Sequence, residues 1–260
     1  MNLKNIKEYV KEEKARLKDR INAKTASLAI IQVGEVEASN RYVKNKIKDC
    51  EEIGIFPVLY KAPVDITQEI LEEFITKAAN AYSGIIIQLP LPDHLDKEKL
   101  LKLIPVEKDV DGFRVDSLFK PCTPKGIMDY LAACGLSDFS GKNVTIIGRS
   151  DIVGKPLALM MLEANATVTI CHSRTENLWQ HLKNADVIVS AVGRKNFLDC
   201  SCIDDDTIVI DVGININDEG KLVGDCCNID GKNVTPVPGG VGLLTRLALM
   251  KNTIDAAEMQ

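Results

Sequence analysis

Seven short runs of branched apolar residues, most of them separated by helical stripes, constrain this chain more than any other feature. Three of them, Ser27–Gly34, Phe56–Lys61 and Ser83–Leu89, precede Gly135, and four more, Lys142–Ile147, Ala166–Cys171, Ala185–Ala191 and Thr207–Val212, follow it. Runs this short and this uniformly apolar predict strands buried on both faces. The stretches between them have a helical period. Residues 3–22 carry Leu3, Ile6, Val10, Leu17 and Ile21 on one stripe, and Thr67–Tyr82 carries Ile70, Leu71, Phe74, Ile75, Ala78 and Ala79. Shorter helices are predicted over 96–104, 155–164 and 176–184. Strand–helix alternation of this kind predicts an α/β chain with parallel sheets and helices on both faces. The alternation pauses and restarts near residue 137. The expected organisation is therefore two α/β domains, 1–137 and 138–242, with the last helix, within 243–260, packing back on the first.

The second block opens with strand Val144–Ile147, then Gly148-Arg149-Ser150-Asp151-Ile152-Val153-Gly154-Lys155-Pro156, then a helix. A strand, a glycine-containing turn and a helix N-terminus make a seat for a dinucleotide pyrophosphate, because free N–H groups and the positive helix end face the anion. The match to the usual glycine fingerprint is imperfect, since Ser150 stands at the second glycine. At the end of the next strand, where an acid would accept from a ribose 2′-hydroxyl, the chain has His172-Ser173-Arg174. With no acid there, and with donors beside Arg149, the pattern favours NADP over NAD. Ile214, just past the fourth strand, is placed near the nicotinamide. Pro236–Gly242 reads either as an interdomain linker or as a backbone surface lying over a flat ligand.

In the first block, Ser39 is expected to cap a helix that Gly54 ends. Tyr42 and Lys46 are four apart on it and emerge as neighbours. Gln88 ends a strand, at the sheet edge where α/β proteins bind ligands, and Asp111 sits in a glycine-containing loop after that strand. Each has a plain reading, as a solvated lysine or a loop-satisfying amide. Together they form a donor–acceptor set able to move a proton. Thr123 and Pro124 are expected to cap and open a helix that Gly135 ends.

The net charge of −5 argues against a nucleic-acid surface. No apolar run approaches the ~20 residues of a membrane span, and the charged N-terminus has no signal-peptide pattern. The expectation is a cytoplasmic protein. Eight cysteines form no paired framework, and Cys200, Cys202, Cys226 and Cys227 are taken as reduced thiols rather than a metal site. No metal is expected.

The stretches from Ala38 to Gly54, Gln88-Leu89-Pro90-Leu91-Pro92, Lys108–Gly112, Pro121–Pro124, Gly148–Pro156, Cys171–Thr175 and Thr235–Gly242 resemble, in family order, the FolD family of bifunctional methylenetetrahydrofolate dehydrogenase/methenyltetrahydrofolate cyclohydrolases. The resemblance implies an N-terminal catalytic domain, a C-terminal Rossmann-like NAD(P)-binding domain and an active site in the cleft between them. It implies a homodimer acting on tetrahydrofolate one-carbon derivatives. By residue match, Lys46 transfers protons, Tyr42 shapes the folate site, Gln88 positions Lys46 and Asp111 binds the pterin. Leu89, Pro238, Gly239 and Gly240 join the folate contacts. Gly148, Arg149, Ser150, Ser173, Arg174 and Ile214 fall to the cofactor. Three departures stand out: Leu243 where the family has proline, a short Phe113–Lys120 segment, and an N-terminus that starts late, without the family's usual leading strand. Short-chain dehydrogenases also use Tyr-x-x-x-Lys, but with the nucleotide loop before that pair. Shikimate-dehydrogenase-like enzymes share the domain order, yet leave Pro236–Gly240 unexplained. A nucleotide-binding regulator without catalysis is the third alternative, and the intact Tyr42, Lys46, Gln88 and Asp111 count against it.

Overall fold

The computed structural model describes residues 2–21 and 25–260. Asn22, at the end of the helix predicted over 3–22, lies outside the described residues. The chain forms two compact units. One comprises Glu12–Cys122 with Arg246–Gln260; the other comprises the residues up to Lys11 with Thr123–Thr245. The division falls within helix α1 (Ile6–Ile21) and within the last helix.

In the first unit, β1 (Ser27–Val33), β2 (Phe56–Ala62) and β3 (Gly84–Gln88) form a parallel sheet in the order β2-β1-β3. Successive side chains on a strand point to opposite faces. Ala29, Ile31, Val33, Ile85 and Ile87 pack in one cluster with Leu71, Ile75 and Ala78 of α3 (Gln68–Ala81) and Leu100 and Leu101 of α4 (Lys97–Leu103). The alternate residues Leu28, Ile30 and Ile86 are also fully buried, so both faces are covered. Each buried isoleucine contributes about 1.5–3 kcal/mol. Thr67 caps α3 by accepting from Ile70 N–H, and Asp96 caps α4 by accepting from Lys99 N–H.

Helix α2 (Glu37–Ile53) carries the Tyr42/Lys46 pair. It starts two residues before the expected cap at Ser39. Val36, in an extended conformation and with no side-chain bond, precedes the helix instead. Glu37 in the first turn complements the positive helix end, and Ser39 lies inside the helix. Gly54 ends α2 at φ 95°, its N–H donating to Cys50 O.

Residues 246–260 belong to this unit. Arg246 pairs with Asp49 at 3.2 Å, and Lys14 pairs with the same carboxylate at 2.7 Å. Lys251 pairs with Glu13 at 2.7 Å. The Cys50 thiol lies 3.5 Å from Met250 Sδ, and burial pushes its pKa up to about 12. It is a packing group.

In the second unit, α5 (Cys122–Ala133) precedes β4 (Asn143–Ile147). Ile127 and Leu131 of α5 pack with Phe139, Val144 and Leu157, so this helix belongs to the second core. The boundary therefore stands at Cys122/Thr123, ahead of the expected residue 137. The chain's first residues join the same unit: Leu3 packs against that core and Tyr130 Oη donates to Lys4 O at 2.5 Å. Thr123 and Pro124 lie inside the first turn of α5 rather than at its cap. The Thr123 hydroxyl meets that of Thr245 at 2.9 Å.

Strands β4, β5 (Thr167–Cys171), β6 (Val187–Ser190) and β8 (Ile208–Asp211) form a four-stranded parallel sheet in the order β5-β4-β6-β8, with β7 (Leu198–Asp199) outside it. Val144, Ile146, Val187, Val189, Ile208 and Ile210 face one core with α6 (Gly154–Glu163). The intervening Ile147, Ile188 and Val209 face the other, with Leu182 of α7 (Leu178–Leu182). Helix α7 is shorter than the predicted 176–184. Four two-residue strands escaped the periodicity: β7, β9 (Asn215–Ile216), β10 (Leu222–Val223) and β11 (Cys226–Cys227). Strand β7 pairs with β11, and β9 with β10. The last helix, α8 (Val241–Glu258), starts two residues ahead of the expected range 243–260. Among the described residues no cluster of His, Cys, Asp or Glu is arranged to hold a metal ion, and no helix is long and apolar enough to cross a membrane.

Candidate functional site

Lys46 is 4% exposed, although it is a lysine on a helix. Burying an ammonium is costly unless it is paired. Its Nζ donates to Gln88 Oε1 at 3.1 Å, stands 3.9 Å from Asp111 Oδ2 and lies 5.1 Å from the centre of the Tyr42 ring. A lysine over an aromatic face gains a cation–π attraction, about 2 kcal/mol where it is desolvated. The four residues singled out in the sequence therefore meet at one point of the first unit. The Gln88 amide is oriented by a second bond, Nε2 donating to Leu89 O at 2.9 Å. That bond directs Oε1, the acceptor, toward the lysine.

Gln88 is the last residue of β3, and α2 starts just after β1. The pair Gln32↔Gln88 is the last rung of the β1–β3 ladder, so both amides stand at the C-terminal edge of the sheet. Gln32 is 2% exposed and donates to Asn40 Oδ1 at 2.6 Å, which ties the first turns of α2 to this edge. Sequence reasoning missed Gln32 and Asn40. The available signal was an amide inside the otherwise apolar run Ser27–Val33.

Asp111 is held by its loop. Gly112 has φ +70°, and a Cβ there would meet the backbone of Phe119, Lys120 and Pro121 at 2.7 Å, so glycine is required. Asp109 Oδ2 accepts from Arg114 N–H at 2.8 Å, while the Arg114 guanidinium donates to Lys102 O and Ile104 O at the C-terminal end of α4. Asn252 of α8 donates to Val110 O at 2.9 Å and Lys120 O at 3.3 Å. These bonds close the short 113–120 segment. Burial raises the Asp111 pKa above the usual carboxylate range, opposed by the Lys46 ammonium. Burial also raises that of the adjacent Cys122 thiol, whose Sγ is directed at Val110 O.

The cofactor candidates lie in the second unit. Gly148 has φ +128°, and a Cβ on it would run into the carbonyl oxygen of Ala191; a Cβ on Gly154 would run into Gly148 O. These are the two close approaches that a dinucleotide turn needs, and Ser150 obstructs neither. Its hydroxyl accepts from Gly154 N–H at 3.4 Å, at the start of α6. Gly148 N–H donates to Cys171 O, which sets the turn beside the end of β5. There, His172 N–H donates to Thr175 Oγ1 and Arg174 N–H to His172 Nδ1. Arg149, Ser150, Ser173 and Arg174 are exposed at these neighbouring strand ends, with no acid between His172 and Thr175. Ile214 is 61% exposed just past β8. Pro238, Gly239 and Gly240 precede α8 in this same unit, apart from the unit that holds Lys46. Gly239 sits beside Lys7 at φ +96°, and a Cβ on Gly240 would strike Pro236 O.

Two family models match the chain. "Tetrahydrofolate dehydrogenase/cyclohydrolase, catalytic domain" covers residues 2–111, and the corresponding "NAD(P)-binding domain" covers residues 121–260. A "Bifunctional protein FolD" of Acidovorax sp. (strain JS42) is 46% identical over 94% of this chain and 91% of its own length. A crystal structure of the bifunctional FolD methylenetetrahydrofolate dehydrogenase/cyclohydrolase of Campylobacter jejuni is 39% identical, covers 98% of both chains and superposes with a TM-score of 0.92. The Trypanosoma brucei FolD, solved with NADP and an inhibitor, is 30% identical over 99% of this chain and 97% of that one, with a TM-score of 0.92. Both halves match in order, at full length and at high identity, and this chain belongs to the tetrahydrofolate dehydrogenase/cyclohydrolase family.

Proposed function

We propose that this protein oxidises 5,10-methylenetetrahydrofolate to 5,10-methenyltetrahydrofolate with NADP, and then hydrolyses the product to 10-formyltetrahydrofolate. The observation that carries the reading is the buried Lys46 Nζ, held 3.1 Å from Gln88 and beside Asp111 and Tyr42. In the first step the methylene carbon gives a hydride to the nicotinamide. That step needs placement more than a strong acid or base. In the second, water adds to the methenyl carbon and loses a proton; the bond to N5 then breaks as N5 is protonated, and the new hydroxyl gives its remaining proton to solvent as it becomes the formyl carbonyl. Lys46 Nζ, as the amine, takes that first proton from the water and, as the ammonium so formed, returns it to N5. Gln88 holds Nζ in place, Tyr42 and Leu89 shape the folate pocket, and Asp111 accepts from the N–H groups of the pterin. Pro238, Gly239 and Gly240 supply further folate contacts.

Gly148–Gly154 would hold the pyrophosphate of NADP, with Ser150 at the α6 N-terminus. Arg149, Ser173 and Arg174 would take the 2′-phosphate, and Ile214 would face the nicotinamide. The absence of an acid between His172 and Thr175 supports NADP over NAD. The family resemblance further supports a cytoplasmic homodimer.

Purified protein given 5,10-methylenetetrahydrofolate with NADP or NAD tests the scheme. Reduced cofactor should accumulate with NADP, and the methenyl absorbance should rise and then decay. No reduction with either nucleotide removes the dehydrogenase assignment, and a persisting methenyl signal removes the cyclohydrolase assignment.

The pH dependence has a defined sign. The folded-state pKa of Asp111 is raised, so on acidification this carboxylate gains its proton earlier than an exposed one. The KM for methylenetetrahydrofolate should rise as pH falls through that raised value. In Asp111→Asn it should be high already and flat over the same window. A parallel acid rise in both proteins would assign the effect to the folate or to another group.

A further inference from the structure

We propose that Asp225 is a positioning residue for the nucleotide: an internal anion that holds the loop after β6 against the dinucleotide turn. This rests on the cofactor edge proposed above. In the sheet order β5-β4-β6-β8 the connections leave β4 in opposite directions, so the ligand crevice of such a sheet lies between the ends of β4 and β6. One wall is the Gly148 turn. The other is Ala191–Arg194, whose Ala191 carbonyl lies so close to Gly148 that no Cβ fits between them.

The Asp225 carboxylate is fully buried and organises that second wall. The N–H groups of Val192, Gly193 and Arg194 donate to it at 2.8, 3.2 and 2.8 Å. The Ser190 hydroxyl adds a bond at 3.2 Å and Asn215 Nδ2 one at 3.0 Å. Three successive N–H groups converging on one point form the concave nest with which backbones hold anions. Here the chain's own carboxylate fills the nest. These amides are therefore not available to a phosphate, and the pyrophosphate is left to the Gly148–Gly154 turn.

Asp225 is itself fixed by Asp211, the last residue of β8. Asp211 Oδ1 accepts from Asp225 N–H at 3.0 Å and from Gly213 N–H at 2.9 Å, and Oδ2 accepts from Cys226 N–H at 2.9 Å. Gly213 and Gly224 have no room for a Cβ, because the Asp225 and Asp211 carboxylates occupy the space. The pair thus ties the loop after β6 to the segment that presents Ile214. Asp225 acts on the cofactor through those two backbones.

Asp225→Asn keeps the shape but turns an NH2 toward backbone N–H groups, which can only donate. NADPH affinity, measured by fluorescence titration, should fall about 10-fold or more, and the KM for NADP should rise alike, as expected for misplaced binding groups. The cyclohydrolase rate on methenyltetrahydrofolate, which uses no nucleotide, should stay within about twofold of the native rate. Unchanged NADPH affinity overturns the proposal, and so does a parallel fall of both activities, which would mark a general folding role. Arg149→Ala separates the two levels of inference. If it weakens NADPH binding while Asp225→Asn does not, only the role of Asp225 fails; if neither weakens it, the cofactor edge itself is misplaced. A second measurement needs no variant. In the unliganded native protein the Val192, Gly193 and Arg194 amides should already exchange slowly with solvent. Fast exchange that slows only when NADPH binds would overturn the proposal.

Discussion

Lys46→Met should lower the cyclohydrolase rate by about 10²–10⁴-fold, the usual contribution of a positioned general acid–base group. Methionine keeps an unbranched stem beside the Tyr42 ring but offers no proton. It also leaves Gln88 Oε1 without the donor now 3.1 Å away and Asp111 without the cation now 3.9 Å away. The oxidation step should fall less, because hydride transfer passes no proton through Nζ. The two steps are separable in one cuvette: reduced NADP continues to form while the methenyl absorbance accumulates and decays slowly. A Lys46→Met protein that clears methenyltetrahydrofolate at the native rate would refute the assignment. Thermal unfolding of the same preparation shows whether the fold survived. The difference between the two rates is informative even if stability drops, since a damaged fold would depress both.

Gly148→Ala should destabilise the protein by about 2–6 kcal/mol, the sum of backbone strain and overpacking. The strain arises because φ is +128°, a region that L side chains rarely adopt; the overpacking arises because the new methyl would overlap the Ala191 carbonyl oxygen. To make room, the Ala191–Arg194 loop must move, and Asp225 holds that loop by three N–H bonds. Dehydrogenase activity should be lost, since the turn that cradles the pyrophosphate is the part displaced. Denaturant unfolding measures the stability loss and NADPH titration the binding loss. Native stability and native NADPH affinity together would show that the turn and the loop can part at no cost.

Much of the architecture was legible in local patterns. The seven apolar runs became the seven strands of the two parallel sheets. The inner strands are buried on both faces, as continuous apolar runs require, whereas β2 and β5, at sheet edges, keep exposed residues such as Phe56 and Ile170. Gly54 ends α2 in the left-handed conformation, as expected. Helix starts were less legible. Ser39 and Thr123 have good capping chemistry, yet α2 and α5 begin earlier and carry both residues inside. Their hydroxyls were one stabilising option among several, and the position of the incoming chain outweighed them. The boundary near residue 137 failed for a related reason. A restart of the strand–helix pattern marks where a sheet begins, but α5 packs with the sheet that follows it.

For the site, the sequence by itself determined the neighbouring pair Tyr42 and Lys46, because residues four apart on a helix share a face. It also placed Gln88 at the edge of its sheet, and the strand–turn–helix order of the nucleotide loop. Only the tertiary structure decided that Lys46 is buried rather than solvated. That burial depends on Gln88 and Asp111, which lie 42 and 65 residues away along the chain. The brace from Asp225 to the loop after β6, and the bonds from Asn252 to the Asp111 loop across 142 residues, had no local signal at all. Periodicity reports which way a side chain points from its own backbone. Which donor meets which acceptor is settled only when distant segments pack, since a buried polar group takes whatever partner the fold brings within reach.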